Sequence, residues 1–175
     1  KVYKILGELA MLEIDTNQMF KQVISALKKY PTDQINVSSN ADLGELILTT
    51  NNYRLEVLIN NGWVGYDFAL NKALTGGISQ GSSIDTDLYP LAYDAENTKD
   101  VFQETLTFVD ALLTNRLFYG IINKKAVFAR PTGDREYKIT YIPKRRFFAT
   151  VIQEIWPSKK VTDNPSLRQL IANEK

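Results

Sequence analysis

The sequence predicts an α+β fold, an antiparallel β-meander sheet or sheets with N-terminal, central and C-terminal helices packed on one face, over a single domain of residues 1–175. Three observations carry this. Three strand-length segments, Glu45–Thr50, Tyr53–Ile59 and Trp63–Leu70, follow one another with only Asn51-Asn52 and Asn61-Gly62 between them. Apolar residues at helical spacing lie on both sides of that block, and strand patterning returns after Asn115. The 175 residues, 44% hydrophobic and 23% charged, are enough for one sizeable core and ordinary for a globular chain.

Residues 1–31 read as a helical N-terminal segment. Val2, Ile5, Leu6 and Leu9 have helical spacing despite Gly7. A second helix starts at Asp15, a good N-cap residue with Gln18 in capping-box position. Met19, Phe20, Val23, Ile24 and Leu27 form its apolar stripe, and Tyr30-Pro31 ends it.

In the meander, two-residue turns pair Leu48 with Leu55 and Leu46 with Val57. They then pair Ile59 with Val64, Val57 with Tyr66 and Leu55 with Phe68. All of these residues fall on one sheet face, as period-2 alternation requires; three-residue loops would scatter them over both. The Asn pairs tolerate the positive φ angles of such turns.

Residues 71–97 read as a long flexible loop, with Thr75-Gly76-Gly77 and Gln80-Gly81-Ser82-Ser83 and little periodicity. Asn97 is a candidate cap for a central helix whose stripe is Phe102, Leu106, Val109 and Leu113, widened by Val101, Phe108 and Leu112. Strands follow at Leu117–Ile122, Ala126–Arg130 and Arg135–Ile142, linked by Asn123-Lys124-Lys125 and the turn Pro131-Thr132-Gly133-Asp134. Phe147–Trp156 fits either a strand or a helix, and its β-branched and aromatic content favours a strand. Residues 157–175 read as a C-terminal tail with a helix capped by Asn164 and opened by Pro165.

Composition removes much common chemistry. With no Cys there is no disulfide framework, thiol nucleophile or cysteine-held zinc; with no His there is no Ser-His-Asp triad and no His-ligated metal in this chain. Gly-x-Ser-x-Gly and Ser-x-x-Lys are absent, and the 75–81 glycines lack the Lys-Ser/Thr ending of a phosphate loop. Asp85, Asp87, Asp94 and Glu96 are acidic but without calcium-loop spacing, so no cofactor or metal is expected. No membrane span is expected, and a cytoplasmic location is the default. The chain opens on Lys1 rather than Met, which leaves upstream residues open.

Charge is divided unevenly. Residues 1–97 hold 7 Lys/Arg and 12 Asp/Glu, a net of −5, and residues 98–175 hold 14 and 8, a net of +6. Either the halves present two partner faces, or they interlock and their charges mix on one surface. The meander register sets Glu56 opposite Asp67, a like-charge pair that a diagonal Arg54 can relieve. That pair is either an acidic patch for a partner or, as the enzymatic alternative, a carboxylate pair acting on a small ligand or carbohydrate. Trp63, beside Gly65 and Asp67 on the same face, is a candidate binding platform. Lys144-Arg145-Arg146, among interleaved aromatics, is a candidate contact for single-stranded nucleic acid.

The arrangement is loosely similar to small bacterial binding proteins, secretion chaperones and toxin-neutralising immunity proteins among them. That likeness of architecture implies a protein partner and nothing finer. The leading expectation is a non-enzymatic protein-binding module, of inhibitor, immunity or chaperone-like type, acting on a bacterial effector. Its candidate partner-binding residues are Trp63, Glu56, Asp67, Lys144, Arg145 and Arg146.

Overall fold

In the computed structural model, which describes residues 14–30, 33, 35–50, 53–70, 85–91, 95–114, 116–122, 125–132, 137–142, 159–160, 165 and 169, the first helix begins where its capping residues put it. Asp15 accepts a hydrogen bond from the Gln18 backbone N–H at 2.9 Å, and helix α1 runs Thr16–Leu27. Its buried side is Thr16, Phe20, Val23 and Leu27.

The first sheet contains β1 (Asn36–Asn40), β2 (Glu45–Thr49), β3 (Tyr53–Ile59), β4 (Trp63–Leu70), β5 (Asp85–Thr86) and β6 (Tyr89–Pro90), in the order β1-β2-β3-β4-β5, with β6 also beside β4. The meander has the register its two-residue turns predict: Leu48 pairs with Leu55, Leu46 with Val57, Ile59 with Val64, Val57 with Tyr66 and Leu55 with Phe68. These residues are buried and form the floor of the core. The Asn61-Gly62 turn is built differently from expectation, and Asn51-Asn52 lie outside the described residues. Gly62 does not have a positive φ; Asn60 Oδ1 instead accepts from the N–H groups of Gly62 and Trp63 at 2.9 and 3.0 Å, an Asx turn that shapes the loop.

Positive φ appears at Gly44 and Gly65. A Cβ on Gly65, whose φ is +131°, would come within 2.0 Å of the Asp87 carbonyl oxygen. The backbone crosses so closely that β5 and β6 are two halves of one edge strand. Thr86 pairs with Asp67 and Tyr89 with Val64 in a continuous register, broken at Asp87-Leu88. The 71–97 loop assignment is corrected here: residues 85–90 pair with β4, and helix α2 (Ala95–Leu113) begins two residues before Asn97. Thr98, Phe102, Thr105, Val109 and Leu112, with Phe108, face the core of the first sheet alongside α1, whereas Leu106 and Leu113 are only half-buried. The Thr105 hydroxyl donates to the Val101 carbonyl at 2.8 Å, which satisfies a buried polar group within the helix.

The second sheet contains β7 (Phe118–Ile122), β8 (Lys125–Pro131), β9 (Tyr137–Ile142) and β10 (Lys159–Lys160), in the order β10-β7-β8-β9. Ile122 pairs with Lys125, so that link is two residues rather than three. Arg130 pairs with Lys138 and Pro131 with Tyr137, so the next hairpin loop is longer than the predicted four-residue turn. Lys159-Lys160 is a strand parallel to β7 rather than helical tail. Pro165 and Gln169 are helical, and the predicted segments Val2–Leu9 and Phe147–Trp156 lie outside the described residues.

The two sheets and α2 meet through aromatic side chains. Tyr66 stacks on Phe108 with ring centres 4.2 Å apart, Phe68 stacks on Phe128 at 5.4 Å, and Phe68 meets Phe108 edge-on at 5.2 Å. Each such pair adds about 0.5–1.5 kcal/mol beyond the area it buries. No helix among the described residues is long and apolar enough to cross a membrane.

Candidate functional site

Two places concentrate polar chemistry. The first is buried. Because β5 and β6 follow β4 in register, Asp85 lies opposite Phe68, with its side chain buried at the edge of the core. Three carboxylates and two cations gather there from β5, the break that follows it, α2, β8 and β9. Arg130 of β8, 1% exposed, makes ion pairs with Asp85, Asp87 and Glu104 of α2, the last at 3.2 Å. Its Nη2 donates to Asp87 and Glu104, and its Nε faces Asp85 without the alignment of a hydrogen bond. Lys138 of β9 donates to Asp87 at 3.0 Å and stands 3.6 Å from Asp85. The Tyr66 hydroxyl donates to Asp85 at 2.9 Å and to Asp87 at 3.1 Å, and the guanidinium lies 5.7 Å from the centre of the Tyr66 ring.

Proton affinities follow from this packing. Burial and then the neighbouring Asp85 push the Tyr66 hydroxyl far above its ordinary range. Burial, then the hydrogen bond and charge of Asp87, raise the Glu104 carboxyl against the opposing pull of Arg130. Burial acts to raise Asp87 too, but the hydrogen bonds from Glu104 and Lys138 and the charge of Arg130 hold it below its ordinary value. Burial works against the Arg130 charge, and Tyr66, Asp85, Asp87 and Glu104 more than compensate. The two carboxyls are thus pushed in opposite directions, Glu104 toward holding a proton and Asp87 toward giving one up. The arrangement is a clasp: the guanidinium is enclosed by its own chain, so the cluster joins the two sheets and α2 instead of offering a charge to a ligand.

The second place is the open end of the first sheet. The Ala41–Gly44 turn between β1 and β2 and the Asn60–Gly62 turn between β3 and β4 touch there: the Ile59 N–H donates to the Gly44 carbonyl at 2.8 Å, and Asn60 Nδ2 to the Leu43 carbonyl at 3.0 Å. The Thr16 hydroxyl reaches Asn61 Oδ1 at 3.3 Å, and the Leu91 N–H reaches the Gly62 carbonyl at 3.2 Å. On this braced end, Trp63 is 46% exposed and Leu43 56% exposed, with exposed Pro90 opposite Trp63 in the ladder. Three large hydrophobic side chains are exposed among the described residues, and two of them are here.

The other predicted residues fall as follows. Glu56 pairs directly with Asp67 on the outer face, as the register requires. Relief comes within β3: Arg54 meets Glu56 at 2.6 Å, rather than Asp67 on the diagonal. Both carboxylates are half-buried and stand four residues along the ladder from Trp63. Lys144, Arg145 and Arg146 lie outside the described residues. Arg130 and Lys138, counted among the basic groups of the C-terminal half, are engaged by the clasp. An open groove of about 690 Å³ between α1 and α2 also escaped the sequence reading; its one carboxylate, Asp110, is held by Tyr30 and Arg116. No group of three or more Asp or Glu placed to hold a metal ion occurs among the described residues.

Comparison with protein-family models, with curated proteins and with solved structures gave no match.

Proposed function

We propose that this chain is a non-enzymatic protein-binding module that docks its partner on the Trp63–Leu43 end of the first sheet. The single observation that carries this reading is a half-exposed tryptophan and an exposed leucine at the same end of the sheet, on either side of Asn60, whose side chain braces both turns. Tryptophan on a rigid support is favoured in interface hot spots, because its large area is buried with little loss of side-chain freedom. Asn60 provides that support, since one side chain binds the N–H groups of Gly62 and Trp63 and the Leu43 carbonyl. Within this reading, inhibition of a bacterial effector, as an immunity-type or chaperone-like protein, is the narrower proposal; the missing His and Cys and the rigid scaffold support it. The carboxylate-enzyme reading loses support, because Glu56 is tied to Arg54 and the Glu56–Asp67 pair does not line the groove between α1 and α2.

The test is quantitative recovery of partner from the native host with wild type, Trp63→Ala, Leu43→Ser and Glu56→Lys. A hot-spot truncation costs about 2 kcal/mol or more, roughly 30-fold in Kd. Trp63→Ala is expected to remove a specific partner at that scale and Leu43→Ser to weaken it. Full recovery of the same partner by both variants contradicts the proposal.

A further inference from the structure

Every sheet edge among the described residues is guarded except one. An open edge strand is a template for another strand, and proteins blunt it with charge, proline, distortion or brevity. The β5–β6 edge is broken at Asp87-Leu88 and ends in Pro90. The β9 edge carries Lys138, and β10 is the two residues Lys159-Lys160. Strand β1 has none of these devices. Asn36-Val37-Ser38-Ser39-Asn40 contains no charge, proline or glycine, pairs only with β2 among the described residues, and all five residues are exposed. Val37 is 42% exposed although it pairs with the buried Leu48 and so lies on the core side of the sheet, beyond the reach of the helices.

We propose that β1 is a homodimer interface, in which β1 of one copy pairs antiparallel with β1 of a second copy about a two-fold axis at Ser38. The occupant follows from the sequence of the strand. Pairing about Ser38 matches all five residues: Asn36 with Asn40, Val37 with Ser39 and Ser38 with itself, with no like-charge pair at any step. The contact is isologous and closes on itself, which prevents open-ended growth from this exposed edge. Each Val37 gains the other Val37 as a diagonal neighbour on the core side. Because the axis is perpendicular to the joined sheet, the two Trp63 ends point to opposite extremities on the same outer face. The dimer is a bivalent version of the proposed binder, although the β1 argument does not depend on what Trp63 contacts.

The absence of Cys makes the test clean, since Ser38→Cys introduces the only thiol. Directly opposed residues of an antiparallel pair have Cβ atoms about 4.5–5.5 Å apart, within a small adjustment of disulfide geometry. Three results are expected. Wild type sediments at twice the 19.9 kDa chain mass as concentration rises. Ser38→Lys, which sets two lysines against each other on the axis, stays monomeric with unchanged circular dichroism. Ser38→Cys forms a disulfide dimer under mild oxidation far faster than Ser25→Cys, an exposed position on α1. A wild type monomeric at every concentration, or a dimer that survives Ser38→Lys while Ser38→Cys cross-links no faster than Ser25→Cys, overturns the proposal. The first outcome would leave the edge for an extended peptide of another protein, and the second would place the dimer contact elsewhere.

Discussion

Arg130 decides more of this structure than any other polar residue. Breaking a buried ion pair by removing one partner leaves a charge stranded, at a cost of about 3–5 kcal/mol. Arg130→Met is therefore expected to lower unfolding free energy by that order in urea titrations, because Asp85 and Asp87 lose their central cation. Lys138→Ala is expected to cost roughly 1 kcal/mol or less, since Lys138 is 43% exposed and solvent screens its contribution. The clasp also has a pH signature. The Glu104 carboxyl is raised on folding, so between its ordinary pKa and its folded pKa the native state binds more protons than the unfolded state, and this group's contribution is lost as pH rises through that window. Asp87 is lowered, so its contribution is present above its ordinary value and lost as pH falls through the folded one. Glu104→Gln mimics the protonated side chain. Its stability relative to wild type is expected to improve as pH rises through the Glu104 window, as measured by thermal melts at stepped pH; a difference independent of pH would refute the raised Glu104 carboxyl. None of this was legible in the sequence. Asp85 and Asp87 read as loop acids and Arg130 as the end of a strand, because their meeting depends on the packing of two sheets and not on local pattern.

At the level of elements, legibility followed the turns. Asn51-Asn52 and Asn61-Gly62 leave room for only one register, so β2–β4 and all five predicted apolar pairs could be read from residue spacing. Strand β1 was invisible because Asn36–Asn40 has a single apolar residue and no alternation to detect. The β5–β6 edge was hidden for another reason: it is two short pieces, separated where Gly65 lets the chain cross close to β4. Gly65→Ala tests that crossing. The new methyl meets the Asp87 carbonyl and the backbone is held at φ +131°, a conformation costing a side-chain-bearing residue about 1–3 kcal/mol. Hydrogen exchange is expected to accelerate at Asp87 and Thr86, while amides of β2 and β3 keep their protection; unchanged exchange at residues 85–90 would mean that the edge strand does not depend on this glycine.

Over the whole molecule, the division into a −5 half and a +6 half changes meaning. Arg130 and Lys138 from the basic half hold Asp85 and Asp87 from the acidic half, so part of the asymmetry is neutralised inside the fold. The interlocking alternative is the one these ion pairs support, and charge complementarity with an external partner carries less of the functional argument than composition suggested. Exposed apolar surface carries more. Trp63 could be selected from sequence because a tryptophan on a polar strand face breaks alternation; Leu43 could not, since only the contact between the two turns brings it to the same end of the sheet. The most direct test places an aromatic photo-crosslinking residue at position 63 in the native host, with position 21 on α1 as control. The account predicts a covalent adduct with one protein partner from position 63, absent from position 21 and abolished by Leu43→Glu. Equal labelling from the two positions, or none from position 63, would contradict it.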